Sequence, residues 1–330
     1  MSVLLVGEHR KGEASSAAAG MLAPSVEKAE GPARDFAIAA RDIYPAYLEE
    51  LADRVGIRVP LNRLGVLQVA LTERGVRGLQ KTASPKSRWI DRQELAHLEP
   101  TLGHAIGAVM NPDDGSVDNV ILTAALNQLA DLLPRVTRRT GAVTTLEAAN
   151  GRVRAVLADG SSIEAARMVL APGAWGSQID GAAALKYVTP LRGQLVSYPG
   201  IGLRHVTYGP RGYVVPRGVT ETIAGSTMEN AGFDAVTTPE GLAKVQSAAE
   251  EIAPALGVAP PTFSWAGLRP VTPDMLPLLG PDADHSEIIY ACGHSRNGIL
   301  LAALTGKTVA RLVLNQPADH DLSQFRPDRF

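Results

Sequence analysis

Apolar spacing and capping residues predict five helices along the chain. In residues 32–55 the spacing predicts a helix that Pro45 kinks, with these apolar positions: Phe36, Ile38, Ile43, Tyr47, Leu48 and Leu51. Asp91 with Glu94 marks a helix start, and Asp118 caps a second helix that runs to about Leu133. Residues 239–256 and 297–314 predict two further helices.

Strand patterns fill much of the remaining chain. Residues 2–6 form a continuous apolar run, which predicts a strand buried on both faces of a parallel sheet. Residues 142–171 predict four short strands, with hairpin turns at Asn150-Gly151 and Asp159-Gly160. Other predicted strands lie at 64–71, 187–188, 194–198, 212–215, 222–225 and 288–292.

The order of these elements indicates an α+β chain. Mixed strands and helices come first, a mostly antiparallel block follows, and a strand-then-helix pair ends the chain. We therefore predict an α/β nucleotide-binding domain that a sheet-rich substrate domain interrupts. The predicted boundaries are 1–60, 115–180 and 282–330 for the first domain, and 61–114 and 181–281 for the second.

Composition narrows the class of protein. The net charge is −2, and no basic stripe appears, which argues against a nucleic-acid partner. No apolar run approaches the roughly 18 residues of a membrane span, and the N-terminus does not read as a signal peptide. The single cysteine, Cys292, excludes an internal disulfide, so we expect a cytoplasmic location. The histidines show no metal-binding spacing, so we expect no metal site.

Two polar segments lie in apolar surroundings. At residues 293–301 a strand gives way to a helix, whose first N–H groups would favour an anionic group; an ordinary helix start is the other reading. Arg269 stands between Leu268 and Pro270, where its guanidinium would need a partner. That partner is either a structural carboxylate or the carboxylate of a ligand.

Three runs resemble the glycine oxidases of the D-amino-acid oxidase family. They are Ala-Ala-Gly-Met-Leu-Ala-Pro at 18–24, Trp-Ala-Gly-Leu-Arg-Pro at 265–270, and Gly-His-Ser-Arg-Asn-Gly-Ile-Leu-Leu-Ala at 293–302. The resemblance implies a D-amino-acid oxidase-like fold with FAD as cofactor. It implies hydride transfer from glycine, or from another small amine or D-amino acid, to the flavin. Glyoxylate, ammonia and hydrogen peroxide result, dioxygen is the oxidant, and the pathway served is thiamine biosynthesis.

The same resemblance assigns binding roles to individual residues. It implies that no side chain acts as a catalytic base. Arg269 and Tyr213 bind the substrate carboxylate, Arg296 assists them, and Met228 forms the pocket wall. Glu8 is assigned to the adenosine ribose, and Val143 to a backbone contact with adenine. The other cofactor-binding residues that the resemblance implies are Ser16, Ala19, Gly20, Met21, Gly173, Gly293, His294, Arg296, Asn297, Gly298, Ile299 and Leu300.

The family pattern opens with a strand, a Gly-x-Gly-x-x-Gly turn and a helix, which residues 1–30 do not contain. Residues 3–6 align with the second strand of that pattern, so the expected fold is N-terminally incomplete. Three hypotheses follow: a fragment of an active glycine oxidase, a non-catalytic remnant that cannot hold FAD, or a sarcosine or D-amino-acid oxidase of the same family. We expect weak or no FAD retention, and the family tendency indicates a possible homo-oligomer.

Overall fold

A computed structural model describes residues 1–330. The helices are α1 Ala14–Ala17, α2 Gly31–Asp42, α3 Tyr44–Val55, α4 Glu73–Thr82, α5 Arg92–Leu98, α6 Asn119–Leu132, α7 Pro239–Ile252, α8 Ala255–Val258 and α9 Gly298–Val313. The strands are β1 Val3–Gly7, β2 Met21–Leu22, β3 Leu61–Asn62, β4 Val66–Ala70, β5 Arg88–Asp91, β6 Gly107–Asn111, β7 Gly115–Val117, β8 Val136–Thr140, β9 Val143–Ala149, β10 Arg152–Leu157, β11 Ser162–Ala165, β12 Met168–Leu170, β13 Thr189–Pro199, β14 Val206–Tyr208, β15 Tyr213–Arg217, β16 Glu221–Gly225, β17 Phe263–Val271, β18 Leu278–Pro281 and β19 Ile288–Cys292.

One eight-stranded sheet dominates the molecule. Its strand order is β17-β13-β16-β15-β14-β4-β6-β5, and every pair is antiparallel except β14 with β4. The pairing of β13 with β17 sets Leu191 opposite Arg269 and Gly193 opposite Gly267. This register fixes which side chains of the two strands share a face of the sheet.

Four smaller sheets complete the architecture. β1 pairs in parallel with β8, and β12 pairs in parallel with β19, which also pairs with β18. β9, β10 and β11 form an antiparallel meander, while β7 lies between β2 and β3. The chain therefore combines parallel strand pairs with a large, mainly antiparallel sheet, as the sequence predicted.

The largest core lies among the helices. α2, α3, α6 and α9 bury Phe36, Tyr44, Leu122 and Leu301 against one another. A second core lies on the large sheet, where α7 packs Val245 and Ile252 against strand residues. No helix of the chain combines the length and the apolar character that crossing a bilayer requires.

The predicted caps and turns are confirmed. The side chain of Asp91 accepts from the Glu94 amide, and that of Asp118 accepts from the amides of Val120 and Ile121. The predicted helix at 32–55 is interrupted at Ile43, between α2 and α3 and two residues before Pro45. Pro45 thus lies in the first turn of α3, where its missing N–H costs nothing.

Three predictions of elements are wrong in detail. Residues 187–188 are not a strand, because a 3₁₀ helix over Ala183–Tyr187 precedes β13. The helix predicted at 239–256 breaks at Ala253, before Pro254. The first strand is not buried on both faces: Leu4 is 41% exposed because β1 has β8 as its strand partner and faces a large cavity.

Candidate functional site

A cavity of about 2250 Å³ lies between the large sheet and the parallel strand pairs. Its wall includes residues of β1, α1, β12 and the start of α9, together with residues of β13, β15 and β17. Typical small-molecule pockets measure roughly 300–1,000 Å³, so this cavity has room for a dinucleotide and a second, smaller ligand.

Arg269 lies on β17 and reaches the cavity. Its Nη2 donates to the Ser226 hydroxyl at 2.6 Å, and its Nη1 donates to the Thr227 carbonyl oxygen at 3.2 Å. Neither acceptor is a carboxylate, and no Asp or Glu forms a salt bridge with this guanidinium. The structural ion pair that the sequence left open is therefore not present, and a positive charge remains available on the cavity wall.

Two tyrosines on neighbouring strands line the same cavity. Tyr213 on β15 is set opposite Tyr208 on β14, and their ring centroids are 5.6 Å apart. Burial raises the pKa of Tyr208 well above its usual value, so its hydroxyl stays protonated and able to donate. Tyr208 was not among the predicted site residues, because its position opposite Tyr213 depends on strand pairing, which no local pattern of residues reveals.

Arg296 differs from Arg269 because it has an acidic partner. Its Nη2 donates to Glu27 at 2.6 Å, and the arginine side chain is 46% exposed. Met228 follows the two residues that accept from Arg269, and it lines the cavity with 54% of its surface exposed. Glu27 is a second residue that the sequence analysis missed.

The start of α9 also faces the cavity. Asn297, Gly298 and Ile299 line it, and the Asn297 side chain makes no capping hydrogen bond. The first N–H groups of a helix have no partner within the helix, so this turn presents donors and the positive end of the helix dipole. His294 lines the cavity nearby, and its Nε2 lies 3.1 Å from the Thr305 hydroxyl. Burial lowers the pKa of His294 to about 4, so the ring is neutral near pH 7.

The segment after α1 passes along the same wall. Ala19, Gly20 and Met21 line the cavity. Gly20 has a φ of +76°, and a Cβ there would lie 2.0 Å from the carbonyl oxygen of Val117. Only glycine fits this turn, and the close backbone approach holds the segment at the cavity. The carbonyl oxygen of Ala17 accepts from Trp265 Nε1 at 2.9 Å, which ties the segment to β17.

The loop after β1 also reaches the cavity. Glu8 in this loop lines the cavity, as do Val143 and Gly173. The carboxylate of Glu8 is held by Arg10 at 2.8 Å, and the Arg10 guanidinium lies 5.3 Å from the ring centroid of Trp175. Arg10 was not among the predicted site residues, although it follows Glu8 by two residues in the loop after β1.

Three predicted cofactor residues do not line the cavity. Ser16 faces a separate depression that includes Arg217 and Trp265. Gly293 packs near Thr272, and the Leu300 side chain is buried in the helical core. No group of three or more His, Cys, Asp or Glu side chains is arranged to hold a metal ion.

Comparison with known proteins shows the family to which the chain belongs. The family model described as "DAO: FAD dependent oxidoreductase" matches residues 1–312. The chain belongs to this family. The resemblance to glycine oxidases in the sequence is thereby confirmed.

Individual relatives agree with the family match. The chain is 35% identical to the "Bifunctional protein ThiO/ThiG" of Synechocystis sp., over 96% of this chain and 48% of the relative, and so spans about half that relative's length. It is 31% identical to the "Glycine oxidase" of Bacillus licheniformis, over 96% of this chain and 88% of the relative. The crystal structure of glycine oxidase from Geobacillus kaustophilus superposes with a TM-score of 0.90 at 30% identity, over 99% of this chain and 92% of that one. The predicted fold class is confirmed.

The residues around the cavity fit FAD at the start of α9. The segment at Gly20, which packs so closely on Val117 that no side chain fits between them, lines the same cavity. At the start of α9 the N-cap side chain leaves the helix donors free on the cavity side. Backbone donors of this kind suit the polar edge of an anionic ring system or a phosphate. FAD, when bound, supplies the acceptor for a hydride.

Proposed function

We propose that this protein oxidises a small amino acid, glycine above all, at a site between Arg269 and the first turn of α9. The supporting observation is that Arg269 lies on the cavity wall without an acidic partner. A buried or half-buried guanidinium is stabilised by a carboxylate, and here the substrate brings it. Relatives named glycine oxidase support glycine as that substrate.

In this proposal, substrate recognition belongs to the large sheet. Arg269 holds the carboxylate through its two terminal nitrogens, and the Tyr213 hydroxyl donates to the same group. Met228 forms the apolar wall that faces the substrate's carbon atoms. Arg296 adds positive charge, which Glu27 partly offsets. These residues orient the substrate, and none of them needs to take a proton during the reaction.

The residues that bind the cofactor in this proposal lie outside the large sheet, on the rest of the cavity wall. We propose that Asn297, Gly298 and Ile299 offer their N–H groups to the flavin ring, while Ala19, Gly20 and Met21 pass along it. Glu8 and Val143 would lie toward the adenosine part, with Gly173 between the two ends. The proposed domain division follows this partition, because the large sheet takes its strands from residues 66–111 and 189–271.

Glyoxylate, ammonia and hydrogen peroxide are the products that this proposal implies, with dioxygen as the oxidant. The relatives named ThiO/ThiG favour a role in thiamine biosynthesis.

The test is to purify the chain, add FAD, and measure bound flavin by its visible absorbance and hydrogen peroxide formation with glycine, sarcosine and D-alanine. Replacing Arg269 with Ala should raise the Michaelis constant for glycine by roughly 100-fold, because a charge-assisted bidentate contact is lost. Arg154→Ala removes an exposed arginine that pairs with Glu147 away from the cavity, and it should leave the constant unchanged. An unchanged Michaelis constant in Arg269→Ala would remove this arginine from the site.

A further inference from the structure

Gly193 lies beside the proposed substrate arginine at the middle of β13. In the pairing of β13 with β17, Leu191 stands opposite Arg269, and Gly193 is two residues further along. Residues two apart on a strand point to the same face, so Arg269 and position 193 are diagonal neighbours on that face. The long side chain of Arg269 lies back over position 193.

The space over Gly193 is filled by the guanidinium itself. A Cβ at position 193 would lie 2.2 Å from Nη1 of Arg269, 2.3 Å from Nη2 and 2.4 Å from Cζ. These distances are far inside van der Waals contact, so the guanidinium in its present position is incompatible with any side chain at residue 193. The φ of Gly193 is not in the left-handed region, and backbone conformation therefore does not demand glycine here.

The backbone of β13 cannot move away to relieve such a contact. β13 pairs with β16 on one side and with β17 on the other. The Gln194 amide donates to the Thr227 hydroxyl at 3.0 Å, and the Arg192 amide donates to the Glu229 carbonyl oxygen at 2.9 Å. The movable group is therefore the end of the Arg269 side chain.

The same segment of β13 also places the acceptor of Arg269. Gln194 is fully buried, and its amide nitrogen Nε2 donates to the Glu229 carboxylate at 2.8 Å. With the two main-chain contacts, this bond holds residues 227–229 against the strand. The Thr227 carbonyl oxygen, which accepts from Arg269, is thus fixed relative to Gly193.

We propose that Gly193 is a positioning residue for carboxylate recognition: its missing side chain is the space in which the Arg269 guanidinium lies with its fork toward the cavity. A methyl group at position 193 would displace the Arg269 guanidinium. Its nitrogens Nη1 and Nη2 could then no longer bind the same carboxylate together. This proposal rests on the proposed function, since it assumes that Arg269 binds the substrate carboxylate.

The experiment is a double-mutant cycle on the full chain with FAD present, using Gly193→Ala, Arg269→Ala and the pair together. Binding of glycolate, which carries the carboxylate of glycine without its amine, is measured by calorimetry. The Michaelis constant and kcat for glycine are measured in parallel. We expect Gly193→Ala to weaken glycolate binding about tenfold or more and to raise the Michaelis constant similarly, with a smaller change in kcat. In the Arg269→Ala background the same substitution should change neither quantity by more than about twofold.

The control is Gly78→Ala on α4, where an added Cβ meets no atom within 4 Å. Wild-type affinity in Gly193→Ala, or an equal loss in both backgrounds, would overturn the positioning role. Wild-type affinity in Arg269→Ala would instead overturn the proposed function. If Gly193→Ala does not fold, thermal unfolding of the double variant tests the proposal instead. The double variant lacks the Arg269 guanidinium that would clash with the new methyl group, so its melting temperature should equal that of Arg269→Ala alone. A double variant that also fails to fold refutes the proposal.

Discussion

Arg296 and Glu27, 269 residues apart in the sequence, meet at the cavity wall, where the guanidinium donates to the carboxylate at 2.6 Å. This pairing offsets the charge of Arg296. Arg269, in contrast, donates only to a hydroxyl and a carbonyl oxygen. The two arginines of the site are therefore unequal: Arg269 carries a positive charge that a ligand can neutralise, whereas Glu27 already offsets part of the charge of Arg296.

Glu27→Gln should tighten carboxylate binding. The amide keeps a hydrogen-bond acceptor for Arg296 but removes the negative charge, so the positive potential in the cavity rises. Charge interactions between partly exposed groups are worth up to roughly 1 kcal/mol, so the dissociation constant for glycolate should fall by up to about fivefold. Calorimetry at low salt measures this dissociation constant for both proteins. Glu50→Gln, which changes an exposed pair with Arg54 on α3, should have no effect. Weaker binding in Glu27→Gln would contradict the charge argument.

The half-buried ring of His294 should make stability fall in mild acid. Burial lowers the pKa of His294 to about 4 in the folded protein, against 6.5 for an exposed histidine. Above pH 6.5 neither state binds the proton, so the ring does not change stability. Between pH 6.5 and 4 the unfolded state binds more protons, and stability falls as the pH falls. The loss amounts to about 2 kcal/mol at pH 5 relative to pH 8.

His294→Gln removes this titration and keeps an amide that reaches Thr305. The comparison is the melting temperature of both proteins at pH 8 and pH 5, at one fixed concentration of FAD. The decrease between the two pH values should be smaller in His294→Gln, since all other titrating groups are common to the two proteins. Equal decreases would show that His294 does not titrate as its burial requires.

Two adjacent aspartates should differ sharply in their contribution to stability. Asp114 is fully buried and accepts from Arg41 at 2.9 Å and from the Ser25 amide at 3.1 Å. Asp114→Ala leaves Asp42 as the nearest carboxylate to the buried guanidinium of Arg41. The substitution should lower the free energy of unfolding by about 3 kcal/mol. Asp113 is 38% exposed, pairs with the exposed Lys86 at 2.8 Å and lies 3.8 Å from Arg41. Because solvent screens both contacts, Asp113→Ala should lower the free energy of unfolding by less than about 1 kcal/mol. Denaturant unfolding of the two variants measures both, and equal costs would refute the burial argument.

Much of the local structure followed from the sequence. Asp91 and Asp118 were identified as caps because a short polar side chain before an apolar helical pattern satisfies the first amides. Asn150-Gly151 formed the predicted hairpin turn, with both residues at positive φ. The exposure of β1 was not predictable, because an apolar run shows a tendency to be buried and carries no information about which elements cover it.

By itself, the sequence determined the family and the order of helices and strands, because periodicity, caps and motif residues act over a few neighbours. It also indicated Arg269 as a guanidinium in need of a partner. Only the tertiary structure decided that this partner is not a protein carboxylate, that Glu27 holds Arg296, and that Gly193 leaves room for the Arg269 fork. These relationships depend on strand register and on chain segments that are distant in sequence, and no local pattern of residues carries that information.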